Sequence, residues 1–486
     1  MPGWWWLPEN PEYKIPGIAI IKQGYGATLK AMAAFPRNGK FRLDDVPVVH
    51  GKTEQNIVTL LHSCEGREDT DRDPVRYSFY LRSKIAVIGA HVLSPDFPIS
   101  SINIHYTNAN QWADIDRGIE EEQENEAYTI SALVAQPIEE IVADIDDRFS
   151  VLLKVENHPE GDANRKMAIV STTRFEIKTS YGERFYDFDR IIRGIQNLLT
   201  LFVHQPVYVE SLTLQPAKSE MVLFTRLGSV KLYQEHGYEI DGNYKPFHRS
   251  RMLVPLRQIQ GELSEILKVW LCDAENFDLS YHLYFSVVFN KELYAENRFL
   301  AYVQALEGYH RRKEDDSKYL PKAEYKARIS GLLQAIPDDL PGDLKTSIES
   351  AIQRANDFSL RERLGKIMKR RGETFLKTFF GNLQQHEDFI QQVVGTRNYL
   401  SHVLEPGDVK KMYRIDDDEF DPTIERLQVL VEASLLEITG IAQDKIDSIL
   451  LKRFSEYPIY HKVEIDKLGS INDREEDGNE PSDLKQ

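Results

Sequence analysis

The spacing of apolar residues changes once along this chain, and that change constrains the fold more than any motif does. Up to about residue 180, apolar and polar residues alternate in short runs rich in β-branched and aromatic side chains. Ser101-Ile-Asn-Ile-His-Tyr106 is one such run; Phe149-Ser-Val-Leu-Leu-Lys-Val155 and Phe175-Glu-Ile-Lys178 are others. Alternation of this kind, punctuated by Gly, Pro, Asn and Asp, predicts antiparallel strands in a sandwich or barrel. From about Leu256 the spacing becomes helical. Ile259, Leu263, Ile266 and Trp270 form one stripe, Phe299, Val303, Leu306 and His310 another. Leu360, Leu364, Ile367 and Phe375 form a third, and Leu427, Val431 and Leu435 a fourth. The expected fold is α+β: an N-terminal β-rich, sandwich-like domain over 1–254, an all-α bundle over 255–455, and an acidic, disordered tail over 456–486.

Details within the β-rich half are also legible. Ile191, Ile195, Leu198 and Phe202 predict one helix, ended before Pro206 and capped by Asp187 or Asp189. The acidic run Ile119–Asn125 reads as a loop. Trp4, Trp5 and Trp6 read as side chains packed onto the β-rich domain, with an aromatic ligand patch as the alternative.

Composition narrows the function. A chain of 486 residues with 41% hydrophobic and 28% charged residues forms ordinary globular cores, in two to four domains. Two cysteines, Cys64 and Cys272, exclude a disulfide scaffold and a Cys-x-x-Cys zinc site. No apolar stretch is long enough to span a membrane. The N-terminus lacks the basic and apolar regions of a secretory signal, so a cytoplasmic protein is expected. A net charge of -17 argues against coating nucleic acid nonspecifically, though it permits a local basic cleft.

Several motifs fail on inspection. His50-Gly-Lys-Thr53 has Val46 where a phosphate loop needs its first glycine. Gly24-Tyr-Gly26 lacks the third glycine of a dinucleotide fingerprint. Asp338 with Asp343-Leu-Lys345 imitates a nuclease pattern but lies in helical and loop sequence. The histidines show no metal-ligand spacing, and no metal or cofactor is expected.

One constellation survives. In the stretch from Glu387 to Gly407, Phe389, Val393, Leu400 and Leu404 fall within about 60° on a helical wheel, and Pro406-Gly407 ends the helix. Arg397 lies at about 80°, inside the apolar arc between Val393 and Ile390. An arginine there is either buried against a carboxylate or faces a cleft. His402 lies about 140° further round, so the two border one groove only if a second copy of the helix packs alongside. A second helix carries Glu307, Arg311 and Arg312, with Glu307 and Arg311 spaced to pair.

Arg397-Asn-Tyr-Leu-Ser-His402 resembles the signature of HEPN-domain ribonucleases: an arginine, a polar residue, then a histidine late in a helix. Arg298-Phe-Leu, running on to Ala305-Leu-Glu-Gly-Tyr-His-Arg-Arg312, is similar to the early helix of the ApeA-like subgroup, in which a β-rich domain also precedes the HEPN bundle. The resemblance implies a homodimeric endoribonuclease of antiphage, abortive-infection-type defence. Its composite site at the dimer interface would use Arg397, Asn398 and His402, supported by Glu307, Arg311 and Arg312. It implies an RNA substrate, with tRNA as one candidate, and a phage component as trigger acting through the β-rich domain.

The residue types suit that chemistry. RNA supplies its own 2′-OH nucleophile, so no metal-activated water is needed. Histidine titrates near neutrality and can move the proton. Arginine can clamp the phosphate and stabilise the charge that develops. Asn398 can orient the phosphate or the histidine. The run 361–371 holds six basic residues and one acidic. With Leu364 and Ile367 facing the core, Arg363, Lys366, Lys369, Arg370 and Arg371 are expected on a basic face that receives RNA. The alternative is a noncatalytic HEPN module that binds RNA or a partner, joined to a ligand-binding β domain.

Overall fold

The computed structural model describes residues 1–35, 46–65, 79–113, 119–125, 128–133, 139–162, 166–218, 222–225, 230–235, 251–273, 278–290, 292–313, 318–402 and 414–456. The expected tail beyond 456, and Leu404, Pro406 and Gly407, lie outside them. The chain forms two compact units, Met1–Cys272 and Asp273–Gln486.

The first unit is built on a long antiparallel sheet that closes on itself at one end. Strands β1 (Pro2–Trp6), β2 (Ile15–Lys22), β3 (Gly26–Ala31), β4 (Val46–Thr53), β5 (Ile57–Glu65) and β6 (Phe79–Ile88) run in the order β6-β3-β2-β1-β4-β5. β5 then pairs with β6, closing a six-stranded barrel. Closure removes the exposed edges an open sheet would carry. The barrel is filled by the inward half of the alternation: Trp5, Leu29, Val49, Val58, Leu60 and Leu81 are buried. Gly51 leaves the space that the Trp5 ring fills, because a Cβ there would overlap it.

The rest of the sheet grows from the barrel. Beyond β7 (Ala90–Val92) come β8 (Ile99–Tyr106), the short helix α1 (Ala109–Trp112), β9 (Ile119–Asn125) and β10 (Tyr128–Leu133). β11 (Ile141–Asp144), β12 (Phe149–Asp162), β13 (Lys166–Glu183), helix α2 (Phe185–Val203), β14 (Val209–Pro216), β15 (Val222–Thr225) and β16 (Val230–Gln234) follow. β16 pairs with the end of β6 and leads through β14, β8, β13 and β12 to β11. Helix α2 buries Phe188, Ile192, Ile195 and Phe202, and the hydroxyl of Tyr106 on β8 donates to the Ile192 carbonyl at 2.8 Å.

Three sequence expectations change here. The acidic run 119–125 is a strand paired with β10. Helix α2 starts after Arg184, and Asp187 lies in its first turn. The division falls after Cys272 instead of near 255. Helices α3 (Leu256–Ile259) and α4 (Leu263–Asp273) belong to the first unit: the Trp270 indole donates to the Gly194 carbonyl and the Ser264 hydroxyl to the Val142 carbonyl.

The second unit is helical: α5 (Asp278–Phe289), α6 (Ala295–Lys313), α7 (Lys322–Gln334), α8 (Gly342–Arg354), α9 (Leu360–Lys369), α10 (Glu373–Phe380), α11 (Leu383–His402), α12 (Asp417–Ile438) and α13 (Gln443–Glu456). Ser359 caps α9 by accepting from the Glu362 amide. The stripe that ran from Leu360 to Phe375 is split between α9 and α10, with Arg370, Arg371 and Gly372 between them. Through the bundle runs a polar seam on α12. The fully buried Glu432 accepts from Arg453 at 2.6 Å, Gln428 at 2.7 Å and Tyr284 at 3.2 Å. Burial beside this carboxylate pushes the Tyr284 hydroxyl well above its usual range.

Candidate active site

Helix α11 packs its apolar side against α6, α9 and α10. Phe389, Ile390, Val393 and Thr396 are buried, and Arg397 and Leu400 are half-buried beside them. The wheel expectation for Arg397 therefore corresponds to its place at the border of the packed face. Thr396 fixes the end of this helix to the following segment by accepting from the Ile415 amide at 3.0 Å.

The Arg397 guanidinium donates to Oδ1 of Asn398 at 3.2 Å. No carboxylate among the described residues pairs with it. His402 is the last residue of α11, and its side chain lies outside the described ones. On α6, Arg311 donates to Glu307 at 2.8 Å across one helical turn, and Arg312 is exposed next to it. α6 and α11 are direct neighbours, so both motif helices belong to one wall of the bundle.

The basic run divides into two groups. Lys369 is exposed, and Lys366 lies with its ammonium 4.5 Å from the centre of the Phe358 ring. Arg363 and Arg371 turn inward, contrary to the basic-face reading. Arg363 is 1% exposed, donates to the Phe358 carbonyl at 3.0 Å and meets Nδ1 of His310 at 3.3 Å. Burial, then the neighbouring Arg311, lowers its pKa. Arg371 donates to Glu437 at 2.6 Å and lies 3.6 Å from Asp447. Arg370 donates to the other Glu437 oxygen at 2.8 Å. These charges lock α12 and α13 to the α9–α10 junction. Charge density in sequence could not separate Arg370 and Arg371 from a solvated face, because Glu437 and Asp447 lie more than sixty residues away.

Asp338 and Lys345 form an exposed ion pair at 2.6 Å, which accounts for the nuclease-like pattern around them.

A family model described as ApeA N-terminal domain 1 matches residues 1–270, more than half of the chain, and one described as Apea-like HEPN matches residues 300–445. The chain belongs to the ApeA family. The HEPN match of this ApeA chain spans α6 to the start of α13, and so takes in both motif helices. Neither the curated proteins nor the solved structures contain a significant match. No helix among the described residues is long and apolar enough to cross a membrane.

Proposed function

We propose that this ApeA-family chain is a metal-independent endoribonuclease of antiphage defence. It would act in the cytoplasm as a homodimer, with Arg397, Asn398 and His402 of two copies lining one cleft. The observation that carries this reading is the state of Arg397. Elsewhere in the same bundle, Arg371 takes Glu437 and Arg453 takes Glu432, while the buried Arg363 is enclosed by the Phe358 carbonyl and His310. Arg397 is half-buried, and its one hydrogen bond among the described residues is to a neutral amide. A guanidinium kept from carboxylates in this way retains donors for a phosphate.

In the reaction, the 2′-oxygen forms a bond to the adjacent phosphorus and the P–O5′ bond breaks. The 2′ proton goes to one histidine, and a second proton is given to the leaving 5′-oxygen. The products are a 2′,3′-cyclic phosphate and a 5′-hydroxyl. Arg397 stabilises the charge on the non-bridging oxygens, and Asn398 holds the guanidinium. Arg312, Lys366 and Lys369 guide the RNA backbone, tRNA being one candidate, with the Glu307–Arg311 pair buttressing α6. The first unit holds the site silent until it meets a phage component. Incubating the dimer with RNA in EDTA and analysing the fragment ends tests the chemistry. Cyclic phosphate ends, and no cut where the 2′-OH is replaced by hydrogen, are expected. Cleavage that needs added Mg²⁺ or leaves 5′-phosphates would contradict it.

A further inference from the structure

Two residues just ahead of α12 fasten the last turns of α11. The Ile415 amide donates to the Thr396 hydroxyl at 3.0 Å, and both residues are buried. One turn further along α11, the guanidinium of Arg414 lies over the Tyr399 ring, 4.7 Å from its centre. Thr396 and Tyr399 are three residues apart and adjoin on the helix surface. Consecutive residues of one segment thus grip consecutive turns of the helix.

The stack is not forced by want of a carboxylate. Asp416 stands at the N-cap of α12, and Asp417, Asp418 and Glu419 fill its first turn. Among the described residues Arg414 takes none of them in a hydrogen bond: its approach to Asp417 is 3.9 Å. Arg311, Arg328 and Arg361, exposed like Arg414, hold carboxylates at 2.8, 2.6 and 2.7 Å. Arg414 instead lays the flat face of its guanidinium on an aromatic ring, a contact that orients both partners.

Helix geometry sets this stack beside His402. Tyr399 lies three residues before His402 and about 60° from it round the helix, and Asn398 four before it and about 40° away. Arg397 lies about 160° from Tyr399. His402 is the final residue of α11, where a helix frays unless something ties it down. A group that moves a proton has to be held in place. A cation beside an imidazole also disfavours its charged form. The carboxylates of α12 pull the other way, but they sit at a helix N-terminus whose dipole offsets them.

We propose that Arg414, stacked on Tyr399, is a positioning residue for His402: it holds the last turn of α11 and keeps a positive charge beside the histidine that takes the 2′ proton. The inference rests on His402 acting in the proposed reaction, and it assigns that histidine the part of the base.

The test compares the full-length wild type with Arg414→Ala and with Arg414→Lys, because a lysine can keep a cation on the ring. Arg414 is 45% exposed, so both variants should melt with the wild type. Diethyl pyrocarbonate modifies neutral imidazole. Its rate at His402 against pH, followed by peptide mass spectrometry, gives the titration of that residue with no RNA present. The His402 midpoint should rise by about 0.3–0.5 pH unit in Arg414→Ala and stay near the wild-type value in Arg414→Lys. With RNA, Arg414→Ala should lower kcat about tenfold at unchanged KM, and Arg414→Lys should recover most of that loss. An unmoved His402 midpoint in Arg414→Ala overturns the proposal, and so does a loss of kcat that lysine fails to restore. A wild type that cuts no RNA refutes the nuclease reading instead, and the His402 titration then decides the role of the stack alone.

Discussion

The guanidinium of Arg397 donates to the side-chain oxygen of Asn398, the next residue on the helix, at 3.2 Å. This local bond holds one edge of the fork without neutralising it. The charge state of residue 398 therefore matters as much as its presence. Asn398→Ala should lower the RNA cleavage rate by about tenfold or more through lost orientation. Asn398→Asp should lower it further, because a carboxylate at that place captures the fork. Comparing single-turnover rates checks the order. An Asp variant as active as the wild type would remove Asn398 from the account.

Glu437 accepts from both Arg370 and Arg371, and the Arg371 side chain is 1% exposed. Glu437→Ala strands a buried guanidinium with Asp447 as its remaining carboxylate. It should cost about 3 kcal/mol, near the low end for breaking a buried pair. Arg311→Ala breaks an exposed helical pair and should cost about 0.5 kcal/mol or less. Denaturant melts followed on the helical unit measure both. Equal costs would show that the Glu437 network is not structural.

The rings of His50 and His91 stack 4.4 Å apart, and each has a ring nitrogen bonded to a backbone carbonyl, of Val92 and Gly51 respectively. Burial lowers both pKa values from 6.5, outweighing the carbonyl bonds that act to raise them. The folded barrel therefore binds fewer protons than the unfolded chain once the pH drops toward the ordinary histidine range. The stability these residues contribute is complete above pH 6.5 and is lost as the pH falls below it. The melting temperature of the first unit should drop between about pH 7 and pH 5. The drop should be smaller in a His50→Gln/His91→Gln variant, whatever its stability at neutral pH. An equal drop in the variant would assign the acid sensitivity elsewhere.

Gly51 tests the barrel interior. Its Cβ position is occupied by the Trp5 ring, and Trp5 is fully buried. Gly51→Ala should destabilise the first unit by about 1–3 kcal/mol, the usual range for overpacking. Thermal melts of the two proteins decide it, and an unchanged melt would mean that the barrel repacks freely.

The change from strand to helix was legible because each half repeats its own spacing over many residues. Closure of the barrel was not, since it depends on β5 meeting β6 and β3 meeting β6, pairings that no local pattern encodes. The strand at 119–125 was missed because its acidic residues offer no alternating apolar face; its pairing with β10 is carried by the backbone. At the site, Arg397 stood out because it falls within an apolar arc. Arg363 and Arg371 were misread for the opposite reason. They lie in a run dense in charge, and the Phe358 carbonyl, His310 and Glu437 that hold them come from other turns and helices. Trp4, Trp5 and Trp6 were all expected to pack onto the β-rich domain; Trp5 is fully buried, whereas Trp4 is 54% exposed because neighbours on a strand face opposite ways.

Cleavage of RNA by Arg397→Ala is the decisive measurement for the proposed chemistry. Arg397 is half-buried and pairs with no carboxylate among the described residues, so its removal should change stability by about 1 kcal/mol or less. This variant should fold, dimerise and melt like the wild type, yet leave RNA intact under conditions where the wild type cuts it. Cleavage at the wild-type rate by the folded variant would remove Arg397 from the catalytic site.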